Sequence, residues 1–236
     1  MKTQFLLKVT FVITLFLYFQ IGHAQKPSDV TLPATYDFDY IYKLKMTHKK
    51  GDMVLDYYLK KDGDYFGFDS PEMAKANANA KMFMVMDANL NVTAMFMEMM
   101  GKKMVQKTKM NNMYSNTGDY DGSDYNFKEI ESKTIMGYDC DGYVTENDKI
   151  KMTFYMTDDV PVSFNKVFGA NMKNLPKGFD PELMKKYAEN GLMMEMIFED
   201  KKKSKNNVNM QCTGLDKTDF SINTSEYGSM MGAFGG

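Results

Sequence analysis

Methionine is the residue type with the most unusual chemical potential in this chain, at 25 of 236 residues. It is concentrated in two alternating runs, Lys81-Met82-Phe83-Met84-Val85-Met86 and Ala94-Met95-Phe96-Met97-Glu98-Met99-Met100. In an extended chain, residues two apart share a face. The spacing therefore predicts two neighbouring strands, with Met82, Met84 and Met86 on one side of the first and Met95, Met97 and Met99 on one side of the second. Three chemistries fit such stripes. Stacked thioethers are soft ligands suited to Cu(I). Methionine is also flexible and polarizable, which suits an adaptable apolar binding surface. It can equally fill a core in place of Leu, and the dispersion of Met152, Met172, Met184 and Met210 away from the two runs favours that reading.

The other reactive side chains are sparse. Every basic residue is Lys, and the chain lacks the forked Arg donor that commonly recognises phosphate. His48, in Thr47-His48-Lys49-Lys50-Gly51, reads as an exposed turn residue beside two lysines. With one His left after export and no metal-ligand spacing, zinc chemistry has no basis, and a Ser-His-Asp triad would require His48 to be buried. Asp119, Asp121 and Asp124 with Asn126 and Glu129 do not match an EF-hand loop and read as a solvated acidic loop. No enzyme and no cofactor are expected. Cys140 and Cys212 are the only cysteines. An even count in an exported chain predicts a disulfide between them, with two separate buried thiols as the alternative. Cys212 shares the apolar phase of Val208 and Met210, as either state requires.

Export is read from the N-terminus. Lys2 and Lys8 precede the apolar run Val9 to Phe19, and Gly22-His23-Ala24 places small residues at a cleavage site before Gln25. Residues 1–24 are expected to be a cleaved signal peptide, 25–226 one mainly β domain, and 227–236 a flexible tail. The apolar run is short for a membrane span, and no later stretch is long and apolar enough, so no integral span is expected after cleavage. Cleavage removes two lysines and no acid, which moves the formal net charge from −2 to about −4 and argues against nucleic acid or an anionic membrane as partner. The location expected is the periplasm or the exterior.

Period-two alternation dominates the rest. Tyr36 to Met46 reads as one long half-buried strand, followed across polar turns by Met53, Leu55, Tyr57 and Leu59. The pattern returns at Ile150, Met152, Phe154 and Met156, at Met194, Met196 and Phe198, and at Val208, Met210 and Cys212. Helix signals are short: Ser70-Pro71-Glu72 leading into Met73 to Ala80, Asp180-Pro181-Glu182 leading into a helix over Pro181 to Asn190, and a third over Ser163 to Met172. Asn111 to Asn126 reads as an exposed loop.

The segment Thr134-Ile135-Met136-Gly137-Tyr138-Asp139-Cys140-Asp141-Gly142-Tyr143-Val144, with the later turn Asp158-Asp159-Val160-Pro161, resembles the exported bacterial family catalogued as domain of unknown function 4412. Phe154 and Tyr155 stand where relatives often carry Trp. The family is similar to the periplasmic lipoprotein carriers. That resemblance implies a strongly curved antiparallel sheet, an open half-barrel, with two or three short helices on its concave face. It also implies a non-enzymatic carrier that shelters a lipid or other apolar ligand. Met152, Phe154, Met156, Phe164, Phe168, Met194, Met196 and Phe198 are the candidate lining of that cavity, between the sheet and the helical region Ser163 to Asn190. Two other functions stay open: a Met-rich Cu(I) or Ag(I) buffer using Met82, Met84, Met86, Met95, Met97 and Met99, and an interaction module that presents loops such as Asn111 to Asn126 to a partner.

Overall fold

The alternating stretches become strands because period two puts every second side chain on a common face that can be buried at once. The computed structural model describes residues 29–69, 80–110, 124–162, 186–187 and 191–229. In chain order the strands are β1 (Thr35–Asp37), β2 (Tyr40–His48), β3 (Gly51–Leu59), β4 (Tyr65–Asp69), β5 (Ala80–Asp87), β6 (Val92–Met99), β7 (Lys102–Lys109), β8 (Asn126–Ile135), β9 (Tyr138–Glu146), β10 (Ile150–Thr157), β11 (Leu192–Asp200), β12 (Val208–Lys217), β13 (Ser221–Asn223) and β14 (Gly228–Ser229). Twelve form one sheet in the order β14-β7-β6-β5-β4-β3-β2-β12-β11-β10-β9-β8, while β1 and β13 form a separate ribbon.

The sheet is two meanders joined at one seam. Strands β2 to β7 run as successive antiparallel neighbours, as do β8 to β12, and β12 pairs antiparallel with β2 to unite them. Only β14 is parallel to its neighbour, β7. The sheet is open, with β8 and β14 at its edges. Two hairpins turn on Met-Gly pairs: Met100 (φ 52°) with Gly101 (φ 74°), and Met136 (φ 55°) with Gly137 (φ 85°). Positive φ at both central residues is the turn that matches the natural twist of paired strands. Methionine is an uncommon occupant of that conformation.

The expected long strand from Tyr36 to Met46 is broken at Phe38 and Asp39, into β1 and β2. The reason is that its apolar residues serve opposite faces of the sheet. Tyr36 and Phe38 pack with Val85, Ala94, Phe96, Val105 and Ile222, whereas Tyr42 and Leu44 belong to the larger core with Leu59, Phe66, Met86, Met194 and Cys212. Val85 and Met86 are adjacent on β5, so the two clusters lie on opposite sides of it. Asp39 stabilises the break by accepting from the Lys61 amide at 2.8 Å and pairing with Lys60. The Tyr36 hydroxyl donates to Asp87 at 3.0 Å, and burial together with that carboxylate pushes its pKa far above the ordinary phenol value. Gly67 lets Phe83 lie against β4, since a Cβ there would stand 2.4 Å from the ring.

The helices expected over 70–80, 163–172 and 181–190 fall outside the described residues, apart from Ala80, which opens β5, and Lys186 and Tyr187, which have helical backbone. No helix among the described residues is long and apolar enough to cross a membrane. The expected signal peptide also lies outside them. At the other end, Tyr227 packs edge-on against Phe96 with centroids 4.9 Å apart, and Gly228–Ser229 extends the sheet.

Candidate functional site

Directly opposed residues on neighbouring strands point to the same face, so the pairing registers place the methionines in transverse rows. One row runs Met53, Met46, Met210, Met196, Phe154 and Tyr143, across β3, β2, β12, β11, β10 and β9. The row beside it runs His48, Val208, Phe198, Met152, Thr145 and Phe127. Met53, Met46, Met210, Met196, Phe154, Val208, Phe198 and Met152 are all half-buried. Met210, placed by sequence among dispersed methionines, thus stands between Met46 and Met196.

A second patch lies on β5 to β7. Met82 opposes Met97, Met84 opposes Met95, and Met97 also opposes Met104. The two expected strands are neighbours and their stripes face the same way. Met86 is buried in the main core, Met99 lies at the exposed hairpin end, and Met104 is only 2% exposed. Sequence reading missed Met104, which sits among Lys102, Lys103, Gln106 and Lys107. The two-residue Met100-Gly101 turn was the available signal, because it pairs Met99 with Lys102 and so Met97 with Met104.

Of the expected cavity residues, the structure brings Met152, Phe154, Met196 and Phe198 together in the two long rows. Met156 lies beyond a bulge at Tyr155/Met156, opposite Met193, and with Phe154 it packs against Phe127, Tyr143 and Tyr187. Met194 is fully buried in the main core. Phe164 and Phe168 lie outside the described residues.

The expected Cys140–Cys212 disulfide is not formed: both are free, buried thiols. Cys140 is on β9 and Cys212 on β12, with β10 and β11 between them. Three strand spacings amount to about 14 Å, against the roughly 4.4–6.8 Å that a bridge allows between Cα atoms. Cys140 instead donates to the Tyr138 carbonyl at 3.3 Å and Cys212 to the Gly214 carbonyl at 3.5 Å. Burial pushes Cys140 up to about 11, and raises Cys212 as well.

Two polar clusters flank the rows. Tyr187 donates to Asp141 at 2.7 Å, its hydroxyl lies 3.0 Å from that of Tyr143, and Lys186 pairs with the same carboxylate. The Lys186 ammonium, then the Tyr187 hydroxyl, hold Asp141 below the usual carboxylate range, while burial raises Tyr187 far above the phenol range. On β8, Lys133 pairs with the buried Glu195 of β11, its ammonium 4.0 Å over the Tyr155 ring. Gly142 leaves room for this, since a Cβ there would lie 2.9 Å from that ring. His48 is exposed, with Nδ1 accepting from the Lys50 amide. Of the acidic loop, Asp119 and Asp121 lie outside the described residues; among the described ones, no group of three His, Cys, Asp or Glu could hold a metal.

An open, mostly antiparallel sheet with a methionine-lined face defines a mainly β protein with an organised apolar surface. The chain belongs to the family described as domain of unknown function (DUF4412), matched over residues 38–224. No curated protein matches it. Similar solved structures include PNGF-II at 13% identity (TM-score 0.44, 81% of this chain and 30% of that one). They also include the Pseudomonas aeruginosa MucA/MucB complex at 6% (TM-score 0.36, 80% and 55%). A third is a Vibrio parahaemolyticus domain assigned to outer membrane lipoprotein sorting, at 12% (TM-score 0.28, 77% and 86%). The chain thus spans less than a third of PNGF-II.

Proposed function

We propose that this protein is a non-enzymatic binding protein of the bacterial envelope that holds an extended apolar ligand, such as a lipid acyl chain, across its methionine rows. The observation that carries this reading is the half-buried row Met53, Met46, Met210, Met196 and Phe154. Five strands at about 4.8 Å spacing make it roughly 19 Å long, a length suited to a long acyl chain. Thioethers adapt their shape to such a chain without fixing one ligand geometry. Thr145, in the adjacent row, is buried and its hydroxyl oxygen has no hydrogen-bond partner among the described residues. A buried hydroxyl in that state costs free energy, and a ligand ester or hydroxyl group placed there would relieve it. The apolar run and cleavage site at the N-terminus support an envelope location.

The test is native mass spectrometry of protein purified from its own envelope, with lipid extraction of the bound fraction. An apolar adduct is expected on the parent protein and is lost in Met196→Glu/Met210→Glu, which puts charge into the row, with the β-sheet circular dichroism retained. A parent that is always ligand-free, or a variant that keeps the adduct, overturns the reading.

A further inference from the structure

The β5–β7 patch differs from the long rows in depth, and that difference points to a second ligand. The row Met53, Met46, Met210 is single file, with Leu55, Leu44 and Cys212 in the next row on the same face. On β5 to β7, Met82, Met97 and Met104 form one row and Met84 and Met95 the next, so five thioethers occupy three strands and two adjacent rows. Opposed Cβ atoms lie about 5 Å apart, so triangles of thioethers are available here, whereas the single file offers only a line of thioethers beside the buried Cys212 thiol. Met104 is 2% exposed, which keeps one corner of the patch dry. Among the described residues, the rows of the patch contain no carboxylate or imidazole, the donors that hard and borderline divalent ions require. Phe68, opposite Met84, adds an aromatic ring at its margin.

We propose that Met82, Met84, Met95, Met97 and Met104 form a site for a monovalent soft cation, Cu(I) or Ag(I), bound through three or four thioethers. The site is separate from the long rows and does not depend on the apolar-ligand reading. Ag(I), stable in air, is the probe.

Ag(I) is titrated into protein labelled with ¹³C at the methionine methyls. Near one equivalent, the methyl signals of Met82, Met97 and Met104 are expected to shift while those of Met46 and Met210 stay in place. Reading the methyls distinguishes thioether binding from capture by Cys140 or Cys212, which would leave the methyls of the patch unmoved. The variant Met82→Leu/Met97→Leu/Met104→Leu is expected to bind at least about tenfold more weakly, as loss of soft donors predicts, while Met46→Leu/Met53→Leu/Met210→Leu binds as the parent does. Unmoved patch methyls in the parent, equal affinity in the first variant, or equal loss in both variants overturns the proposal. The parent titration decides the matter even if the first variant does not fold.

Discussion

Leu59, Phe66 and Met86 form a row across β3, β4 and β5 with exposures of 2%, 1% and 6%. Met53, on the same face of β3 as Leu59, opens a row in which Met46, Met210 and Met196 are all half-buried. The two rows meet on β3, and both rest on antiparallel pairing. What changes is composition, from a row with one methionine beside Leu59 and Phe66 to a row with four, and with it the degree of closure. Where burial is complete, defined shapes specify one packing; where it is partial, methionine keeps an apolar surface adaptable. One face of one sheet therefore carries both a closed core and a half-buried methionine surface.

The sharpest break of this contrast is Phe66→Ala, which empties the closed region and should cost about 3–5 kcal/mol of unfolding free energy, measured by urea denaturation. The matched truncation in the open row, Met46→Ala, should cost less than the roughly 2–5 kcal/mol of a fully buried Met. Equal losses in the two experiments would mean that the rows are ordinary core. Tyr187→Phe removes hydrogen bonds to Asp141 and Tyr143, and a loss of about 1.5 kcal/mol is expected for a bond to a carboxylate; an unchanged midpoint would show that Tyr187 contributes packing alone.

The Asp141 cluster also gives a pH dependence. Lys186 first, and Tyr187 second, lower the Asp141 pKa in the fold. Its stabilising contribution is thus complete above the pKa of the unfolded carboxyl and is lost as pH falls through the lower folded value. Asp141 is 41% exposed, so solvent screening keeps the effect small. Asp141→Asn should flatten the acid limb of stability against pH and leave its shape above neutrality unchanged. An acid limb identical to the parent's would remove Asp141 as a contributor.

Chemical probes should grade the same contrast with the smallest perturbation. Limited peroxide is expected to oxidise Met100, which is 90% exposed, before the half-buried rows, and the rows before Met194 and Met104. Peptide mass spectrometry reads the order, and early oxidation of Met194 would contradict the closed region. Alkylation should leave Cys140 and Cys212 nearly untouched in native protein and modify both after unfolding, since burial holds both thiols protonated. An intact mass two hydrogens short would restore the disulfide.

Local order was readable from residues alone. Alternation located β3, β5, β6, β10 and β12, and Thr134 to Val144 pointed to the family, because side-chain phase within a strand follows from the backbone. Alternation does not say which strands become neighbours. The strand expected from Tyr36 to Met46 reads as continuous, yet its two ends serve opposite faces, a choice made by the ribbon of β1 and β13. The pairing of β2 with β12 sets Met46 beside Met210, and that of β11 with β12 adds Met196, so residues that looked dispersed form one row. Cysteine number and compartment favoured a bridge, but separation across the sheet is set by strand order, and two intervening strands keep Cys140 and Cys212 apart. Sequence determined what each strand offers to a face; tertiary pairing, which depends on contacts distant along the chain, decided which offers meet.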